Sequence, residues 1–353
     1  MAPRILIVKL SSLGDVLHTL PAGQLLRQAF PEAHIGWAVE RAHSGLLAGQ
    51  PWLDEPIIWD RGQPSAGWRF LRQLRATHWD FAIDFQGLLR SALVARGSGA
   101  RRSFGHAPTK EQAHWLYHER IPLPTMDRHA VERSLDLAHA VATRLGAAIP
   151  PRDHLRPTFP LYPSKADRLA VDGWLAAQCI RDSERLVLLN PHCRKDANRW
   201  PTERFTQLAE RLLRAGTRVA LVGGNVARDV CDAIARPLGP RLLRADGRFS
   251  LLATAELIRR ADVFVTGDTG PMHIAAAVGT PIVALFGPAN PLRTGPYTTK
   301  AHVIHRRLPC SPCYAKARCP LGHAVPACME EIEVDEVLAA VNAQLATPWR
   351  RSA

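Results

Sequence analysis

The chain has 353 residues, a net charge of +13 and 46% hydrophobic residues. These values predict one large or two medium globular domains, and no apolar run approaches the roughly 20 residues that span a bilayer. We interpret the opening MAPRILIVKL as a first strand rather than a signal peptide, which predicts a cytoplasmic protein. The basic charge suits nucleic acid, anionic lipid or phosphorylated substrates. A genome whose base composition favours arginine codons would explain the charge equally well.

Short runs rich in Val, Ile and Leu alternate with helix-like segments along the chain. Because these runs are apolar on both faces, they predict parallel sheets covered by helices, an α/β class. The alternation pauses at 146–165, which holds five prolines, so we place a linker there and expect domains at 1–160 and 161–353. The apolar runs are 4–10, 34–39, 55–60, 81–85, 185–190, 218–224, 263–267 and 282–287.

The first run leads into a turn and a helix with the sequence KLSSLGDVLHTLPA, residues 9–22. Asp15 opens the helix, and an Asp in that place ordinarily caps it. The functional alternative is that Asp15 points into a cleft as a general base, with Gly14 permitting a tight turn and Ser12 beside it.

Basic side chains follow the run 185–190 in the loop NPHCRKDANRWP. Arg194, Lys195 and Arg199 are cations that suit phosphate oxygens, although a solvated basic loop is the plainer alternative. No G-x-G-x-x-G follows a strand in the right frame, which disfavours a dinucleotide-binding dehydrogenase.

The run 263–267 ends in Asp268, Thr269 and Gly270, and a helix of small residues with His273 in its first turn follows. Free amides at a helix N-terminus favour an anion, because the helix dipole lies behind them. A capped helix in a tightly packed layer is the alternative. A single capping residue is enough to begin a helix, whereas Asp268, Thr269, Gly270 and His273 occur together here. We therefore favour a phosphate site.

Several of these segments together resemble glycosyltransferase family 9, the ADP-heptose:lipopolysaccharide heptosyltransferases. They are spread in order over most of residues 4–330. The resemblance implies a GT-B fold, in which two Rossmann-like parallel-sheet domains face each other across a cleft and the second binds the sugar nucleotide. The segments are KLSSLGDVLHTLPA, FAIDFQGLLRSAL, RHAVERSLDLA, NPHCRKDANRWP and TGDTGPMHIAAAVGTPIVALFGPANP.

The resemblance implies an inverting transfer of heptose from ADP-heptose to the Kdo/heptose inner core of lipopolysaccharide, on a lipid A-core acceptor. A protein acceptor, as in autotransporter heptosyltransferases, and a GT-B sugar-nucleotide epimerase are the alternatives among enzymes. A nucleic-acid-binding protein with a cysteine finger is the rival from another class. It would explain the charge and the cysteines but neither strand-loop-helix site, so we expect no nucleic acid partner.

The same resemblance assigns roles to individual residues. Asp15 is implied as the catalytic base, and no cofactor is implied for catalysis. One departure concerns the basic loop, where Asn198 stands in place of the lysine that the family often carries. The donor-binding residues are then Arg194, Lys195, Arg199, Phe249, Asp268, Thr269, Gly270 and His273, with Phe249 against the adenine. The acceptor-binding residues are Ser12, Gln86, Arg120, His129 and Arg133.

Four cysteines crowd the C-terminal stretch in the spacing C-x2-C-x5-C-x8-C. Cys310, Cys313, Cys319 and Cys328 predict one structural zinc or iron, which the spacing does not distinguish; a loop of reduced thiols is the alternative. His323 is an alternative ligand.

A lipid acceptor would explain the positive charge of the chain, because that charge could hold the enzyme at the anionic inner-membrane surface. The basic face predicted for that peripheral contact is formed by Arg96, Arg101, Arg102, Lys110 and Arg120.

Overall fold

The computed structural model describes residues 2–63, 65–123, 125–315 and 317–346. The chain divides into two compact units, Met1–Tyr162 and Pro163–Ala353. Each unit contains a six-stranded sheet whose recorded strand pairings are all parallel, with helices connecting the strands. The predicted α/β class is therefore confirmed. Among the helices of the described residues, none is both long and apolar enough to cross a membrane.

The first unit has the strand order β3-β2-β1-β4-β5-β6. Its strands are β1 (Arg4–Val8), β2 (His34–Glu40), β3 (Glu55–Trp59), β4 (Phe81–Asp84), β5 (Arg102–Ala107) and β6 (Glu119–Pro122). Its helices are α1 (Leu13–Ala29), α2 (Arg41–Ser44), α3 (Ala66–Ala76), α4 (Leu89–Gly97) and α5 (Ala130–Arg144). A core that includes Leu6, Phe70 and Trp79 lies between this sheet and the helices on one of its faces.

The second unit has the strand order β12-β11-β10-β7-β8-β9. Numbered from β7 and read from the β9 edge, this is the order of the first unit. Its strands are β7 (Leu186–Asn190), β8 (Arg218–Leu221), β9 (Leu243–Arg244), β10 (Val263–Gly267), β11 (Ile282–Phe286) and β12 (Ala301–His305). Its helices are α6 (Lys165–Ala177), α7 (Thr202–Arg214), α8 (Arg228–Ala235), α9 (Leu251–Arg259), α10 (Gly270–Val278), α11 (Pro291–Thr294), α12 (Ala327–Glu330) and α13 (Val334–Ala346).

Central strands and edge strands differ in how clearly the sequence marks them. Every residue of β7, β10 and β11 is buried, because neighbouring strands and helices cover both faces, and all three lie in predicted apolar runs. Four further strands, β5, β6, β9 and β12, lie outside the apolar runs. Three of them are at sheet edges, where fewer residues need to be apolar.

Candidate functional site

Each sheet has one point at which the chain order reverses, between β1 and β4 in the first unit and between β7 and β10 in the second. Neighbouring strands lead away from such a point in opposite directions, which opens a crevice at their carboxyl ends where ligands of α/β proteins bind. The predicted motifs follow these four strands. Four of the sequence signals therefore lie at the two switch points of the fold, whereas Phe249, Arg120 and the cysteine cluster lie elsewhere.

Asp15 lies in the first turn of α1, immediately after the switch-point strand β1. Its Oδ2 accepts hydrogen bonds from the hydroxyl of Ser12 at 2.7 Å and from the Ser12 amide at 3.1 Å. The N-cap residue of the helix is Ser12, and the half-buried carboxylate of Asp15, three residues later, bonds back to it as the second member of a capping box. These bonds also fix the position of the carboxylate at the crevice.

Gln86 follows β4, the other strand of this switch point, and holds the turn that carries Asp15. Its Oε1 accepts from the amides of Leu10 at 2.9 Å and Ser11 at 3.3 Å. Arg90, which sequence analysis did not select, donates to the hydroxyl of Ser11 at 3.2 Å. Gln86 thus joins the two loops of the crevice, and Arg90 adds a cation to it.

Two buried charges lie behind this turn. Lys9 is 8% exposed and donates to the carbonyl of Phe85 at 2.9 Å. Burial lowers the pKa of Lys9, and the carboxylates of Asp15 and Asp84 oppose that shift. Asp84 accepts from the hydroxyl of Tyr117 at 2.7 Å, and burial raises the pKa of Asp84. Neither charge was a predicted site residue, although a charged residue at the end of an apolar strand is a usable signal.

His129 and Arg133 lie in the first turns of α5, which packs against α1. His129 is the N-cap residue, and its Nδ1 accepts from the amide of Val131 at 3.2 Å. Its ring stands edge-on to that of His18, with the centroids 5.2 Å apart. His18 follows Asp15 by one helical turn, so the predicted histidine lies beside the helix that carries the carboxylate.

Arg120 lies farther from that carboxylate. The sheet register aligns Val8, Asp84, Gly105 and Arg120 on successive strands, so the backbone of Arg120 is about 14 Å from that of Val8. Its guanidinium lies 4.1 Å from the centroid of the Trp115 ring. The structure therefore does not bring Arg120 against Asp15.

In the second unit, the loop after β7 packs directly against the loop after β10. A Cβ placed on Gly267 would lie 2.7 Å from the Sγ of Cys193 and 3.1 Å from the carbonyl oxygen of Asn198, so only glycine allows this approach. Asn198 is 2% exposed, and its Nδ2 donates to Oδ2 of Asp268 at 3.0 Å. The residue that departs from the family pattern therefore braces Asp268.

The N-terminus of α10 is formed by Thr269 and Gly270. Thr269 is the N-cap residue in extended conformation, and in the described structure its side chain caps no amide of the first turn. Asp268, Thr269 and Gly270 are half-buried at this end, and His273 is buried one turn further on. The first amides and the helix dipole therefore favour an anion here.

The three predicted cations differ in whether they already form ion pairs or hydrogen bonds with other groups of the protein. Arg199 donates to the carbonyl of Cys193 at 2.9 Å and pairs with Asp196 at 2.9 Å. Arg194 and Lys195 form no ion pair with any described residue. These two are therefore the cations that remain for an anionic ligand.

Burial affects the groups around this loop. It raises the pKa of the Cys193 thiol to about 12, and the charge of Asp268 adds to the shift. It also lowers the pKa of His192, in the same direction as the charge of Arg199. Cys193 is therefore a packing residue here and not a thiolate.

Phe249 follows the edge strand β9, two strands from β7 and therefore about 10 Å away. The half-buried ring lies edge-on to Trp174, with the centroids 6.0 Å apart. Nearer the switch point, Nδ2 of the buried Asn190 donates to the hydroxyl of Thr266 at 2.9 Å. That pair ties β7 to β10 and was not predicted, because apolar neighbours hide it in the sequence.

The comparisons with known proteins place this arrangement in a family. The model of glycosyltransferase family 9 (heptosyltransferase) matches residues 67–324. The lipopolysaccharide heptosyltransferase 1 of Pseudomonas aeruginosa is 31% identical over 328 residues, which cover 89% of this chain and 86% of that protein. The chain belongs to glycosyltransferase family 9.

Two solved structures share the fold of this family 9 transferase. The family 9 glycosyltransferase of Veillonella parvula superimposes with a TM-score of 0.81 at 24% identity, over 97% of each chain. The ADP-heptose lipopolysaccharide heptosyltransferase II of Escherichia coli gives 0.76 at 24% identity, over 97% of this chain and 98% of that one. The predicted GT-B class is confirmed.

The C-terminal cysteines of the family 9 chain are all free thiols. Cys310, Cys313, Cys319 and Cys328 line one cavity of about 20 Å³ together with His323. Burial and the neighbouring thiols raise the pKa of Cys328 to about 11. Across residues 2–346, apart from the three undescribed positions, no three His, Cys, Asp or Glu side chains are grouped to hold a metal. The predicted metal thus lacks structural support.

Proposed function

We propose that this chain transfers heptose from ADP-heptose to the Kdo/heptose inner core of lipopolysaccharide, with inversion at the anomeric carbon. One observation carries the proposal beyond family membership. Two sheets of identical strand order hold different chemistry at the same point, a fixed carboxylate in one and an anion-binding helix end in the other.

The second unit is the donor side of this proposal. The diphosphate of ADP-heptose would lie at the N-terminus of α10, where amides and the helix dipole stabilise the charge that develops as ADP leaves. Arg194 and Lys195 would supply the positive charge in place of the lysine absent at position 198, because Arg199 already pairs with Asp196. Phe249 would contact the adenine, and Asp268, braced by Asn198, would contact the heptose.

The first unit is the acceptor side. Asp15 would take the proton from the attacking hydroxyl of the acceptor. Its Oδ2 already accepts two bonds from Ser12, which fix the direction of the base. A single displacement, in which one base activates the acceptor hydroxyl while ADP leaves, predicts an inverted product. Arg90, His129 and Arg133 would contact anionic groups of the inner core.

The alternatives share the fold and differ in the acceptor. The relative from Pseudomonas aeruginosa, similar over most of both chains, is named a lipopolysaccharide heptosyltransferase. That likeness favours a lipid A-core acceptor over a protein acceptor. A sugar-nucleotide epimerase has no sugar acceptor. The histidine and arginine side chains near the fixed carboxylate would therefore have no acceptor to bind in such an enzyme.

The test is a transfer assay with purified full-length chain, ADP-heptose and truncated lipid A-core acceptors, read by mass spectrometry. We expect one heptosyl residue to be added to a Kdo-containing or heptose-containing core, and released ADP in equal amount. The Asp15→Asn variant and a core that lacks Kdo are the controls. Heptose on a protein, or a changed donor without any acceptor, would contradict the proposal.

Two finer assignments complete the proposal. The enzyme would work in the cytoplasm, in peripheral contact with the anionic inner-membrane surface where its acceptor lies. The cysteine cluster would bind one structural zinc or iron, since four thiols line a single cavity, but the described side chains would first have to rearrange. No step of the proposed transfer uses that metal.

A further inference from the structure

Helices α3 and α4 lie next to each other in the first unit. Nε of Arg75 on α3 donates to the carbonyl of Gly97 at the end of α4, at 2.8 Å. The two helices contain five arginines and no Asp or Glu, so this face carries only positive charge of its own. The arginines are Arg69, Arg72, Arg75, Arg90 and Arg96.

Acidic side chains from other elements reach only part of these charges. The side-chain hydrogen bond from Arg41 lowers the pKa of Asp60, and the charge of Arg69 adds to that shift. Arg90 pairs with Glu40 at 3.1 Å. Arg69, Arg72, Arg75 and Arg96 form no ion pair with any described residue. Part of the basic face predicted from the sequence is less available, because Arg102 pairs with Glu119 at 2.6 Å and Arg120 stacks on Trp115.

The same face exposes large apolar side chains. Helix α3 buries Ala66, Phe70 and Leu74, while Trp68 is 69% exposed. On α4, Leu93 is 54% and Leu89 is 45% exposed. An exposed indole and two exposed leucines among unpaired arginines form the combination that binds the boundary between lipid headgroups and acyl chains.

We propose that the face formed by α3 and α4 docks on an anionic lipid bilayer. Trp68 and Leu93 enter the headgroup region, and Arg69, Arg72 and Arg96 pair with lipid phosphates. This inference rests on the proposed function in one respect, since a lipid-linked acceptor gives the acceptor-side unit a reason to lie on a membrane. Nucleic acid would use the charge and the indole but would leave both leucines exposed to water.

The test is flotation of the full-length protein with vesicles of phosphatidylcholine mixed with phosphatidylglycerol, and with vesicles of phosphatidylcholine alone. We expect binding to the mixed vesicles only. Each basic residue at an anionic surface contributes about a fivefold factor, so combining R69Q, R72Q and R96Q should weaken binding on the order of 100-fold. The W68S substitution should weaken it about tenfold.

A matched control removes the same charge from exposed positions of the second unit, by combining R181Q, R236Q and R241Q. It should keep vesicle binding within about fivefold of the wild type, since none of these positions belongs to the face formed by α3 and α4. Equal losses in the control and docking variants would overturn the proposal, because net charge alone would then explain binding. Binding to RNA that outcompetes the mixed vesicles would also overturn it.

A second readout separates docking from catalysis. Heptose transfer to a deacylated, water-soluble core should be unchanged in the docking variants, because none of their residues lies at a switch point. Wild-type protein that binds the mixed vesicles through this face but transfers no heptose would refute the proposed function and leave docking intact. Active protein whose docking variants float like the wild type would refute docking alone.

Discussion

The two units of the chain have the same strand order and the same switch point, yet the chemistry there is opposite. In the first unit the crevice holds a carboxylate, Asp15, with the buried Lys9 and Asp84 behind it. In the second unit it holds a helix N-terminus and two cations, Arg194 and Lys195, that pair with no acid among the described residues. The fold thus supplies the place, and the residues that follow each strand decide whether a carboxylate or a helix N-terminus with cations lies there.

If the first unit serves the acceptor and the second unit serves the donor, mutations should affect the two sites separately. A change in the first crevice should alter the rate of transfer without altering ADP binding. A change in the second should alter ADP binding first. Four variants or treatments test or sharpen the contrast, and they are ordered by the size of the expected effect.

The largest effect is expected from Asp15→Asn. The amide keeps the shape of the side chain and still accepts from Ser12, but it cannot take a proton, so kcat should fall roughly 100-fold or more. Steady-state transfer to a truncated core measures this. Glu32→Gln is the matched control, because Glu32 is an exposed acid of the same unit, ahead of β2. Near-normal turnover in Asp15→Asn would remove Asp15 from the mechanism.

The second effect concerns the two cations. Replacing both Arg194 and Lys195 with Gln should weaken ADP binding by roughly 30- to 100-fold, because a hydrogen bond from each charged donor contributes about 1–1.4 kcal/mol more than one from the neutral Gln amide that replaces it. Calorimetry with ADP measures the loss. The control replaces Arg236 and Arg241, which are exposed elsewhere in the same unit. Equal ADP affinity in both double variants would mean that the loop is only solvated.

The third effect concerns stability. In Gly267→Ala the new Cβ would meet the Sγ of Cys193 and the carbonyl of Asn198, so we expect a loss of about 1–3 kcal/mol in the free energy of unfolding. Adding Cys193→Ala should restore part of it by removing the sulfur. Gly173→Ala, in the open on α6, should be neutral or stabilising. Urea unfolding of the four proteins would reveal an error if Gly267→Ala matched Gly173→Ala.

The smallest effect on turnover is expected from removing metal. If the cysteine cluster binds zinc or iron, chelation should lower the melting temperature and leave transfer nearly unchanged, because the thiols lie outside both switch points. Elemental analysis of protein purified without a metal-binding tag checks this. Zinc and iron both near zero, with four thiols that titrate freely under native conditions, would leave only a cysteine-rich loop.

The sequence predicted the parts of the fold that burial dictates. β7, β10 and β11 were predictable because both faces are covered and almost every residue is apolar. The edge strand β9 has two residues, Leu243 and Arg244, and offers no pattern to detect. The order of strands follows from contacts between distant segments, which no local pattern contains.

For the sites, the sequence predicted the loops and missed the contacts between them. Asp15 and Asp268 could be selected because each follows an apolar strand at a turn. The bond from Asn198 to Asp268 and that from Lys9 to Phe85 could not be predicted, because each depends on which strands become neighbours. Asn198 therefore seemed only to lack a charge, whereas the structure shows what the amide does.

The most direct test of the division between the units is a calorimetric comparison of ADP binding by Asp15→Asn and by the variant in which Gln replaces both Arg194 and Lys195. The account predicts that Asp15→Asn, although inactive in transfer, binds ADP like the wild type, while the double variant binds it more weakly. A loss of ADP affinity in Asp15→Asn as large as that in the double variant would contradict the account, because both crevices would then serve the donor.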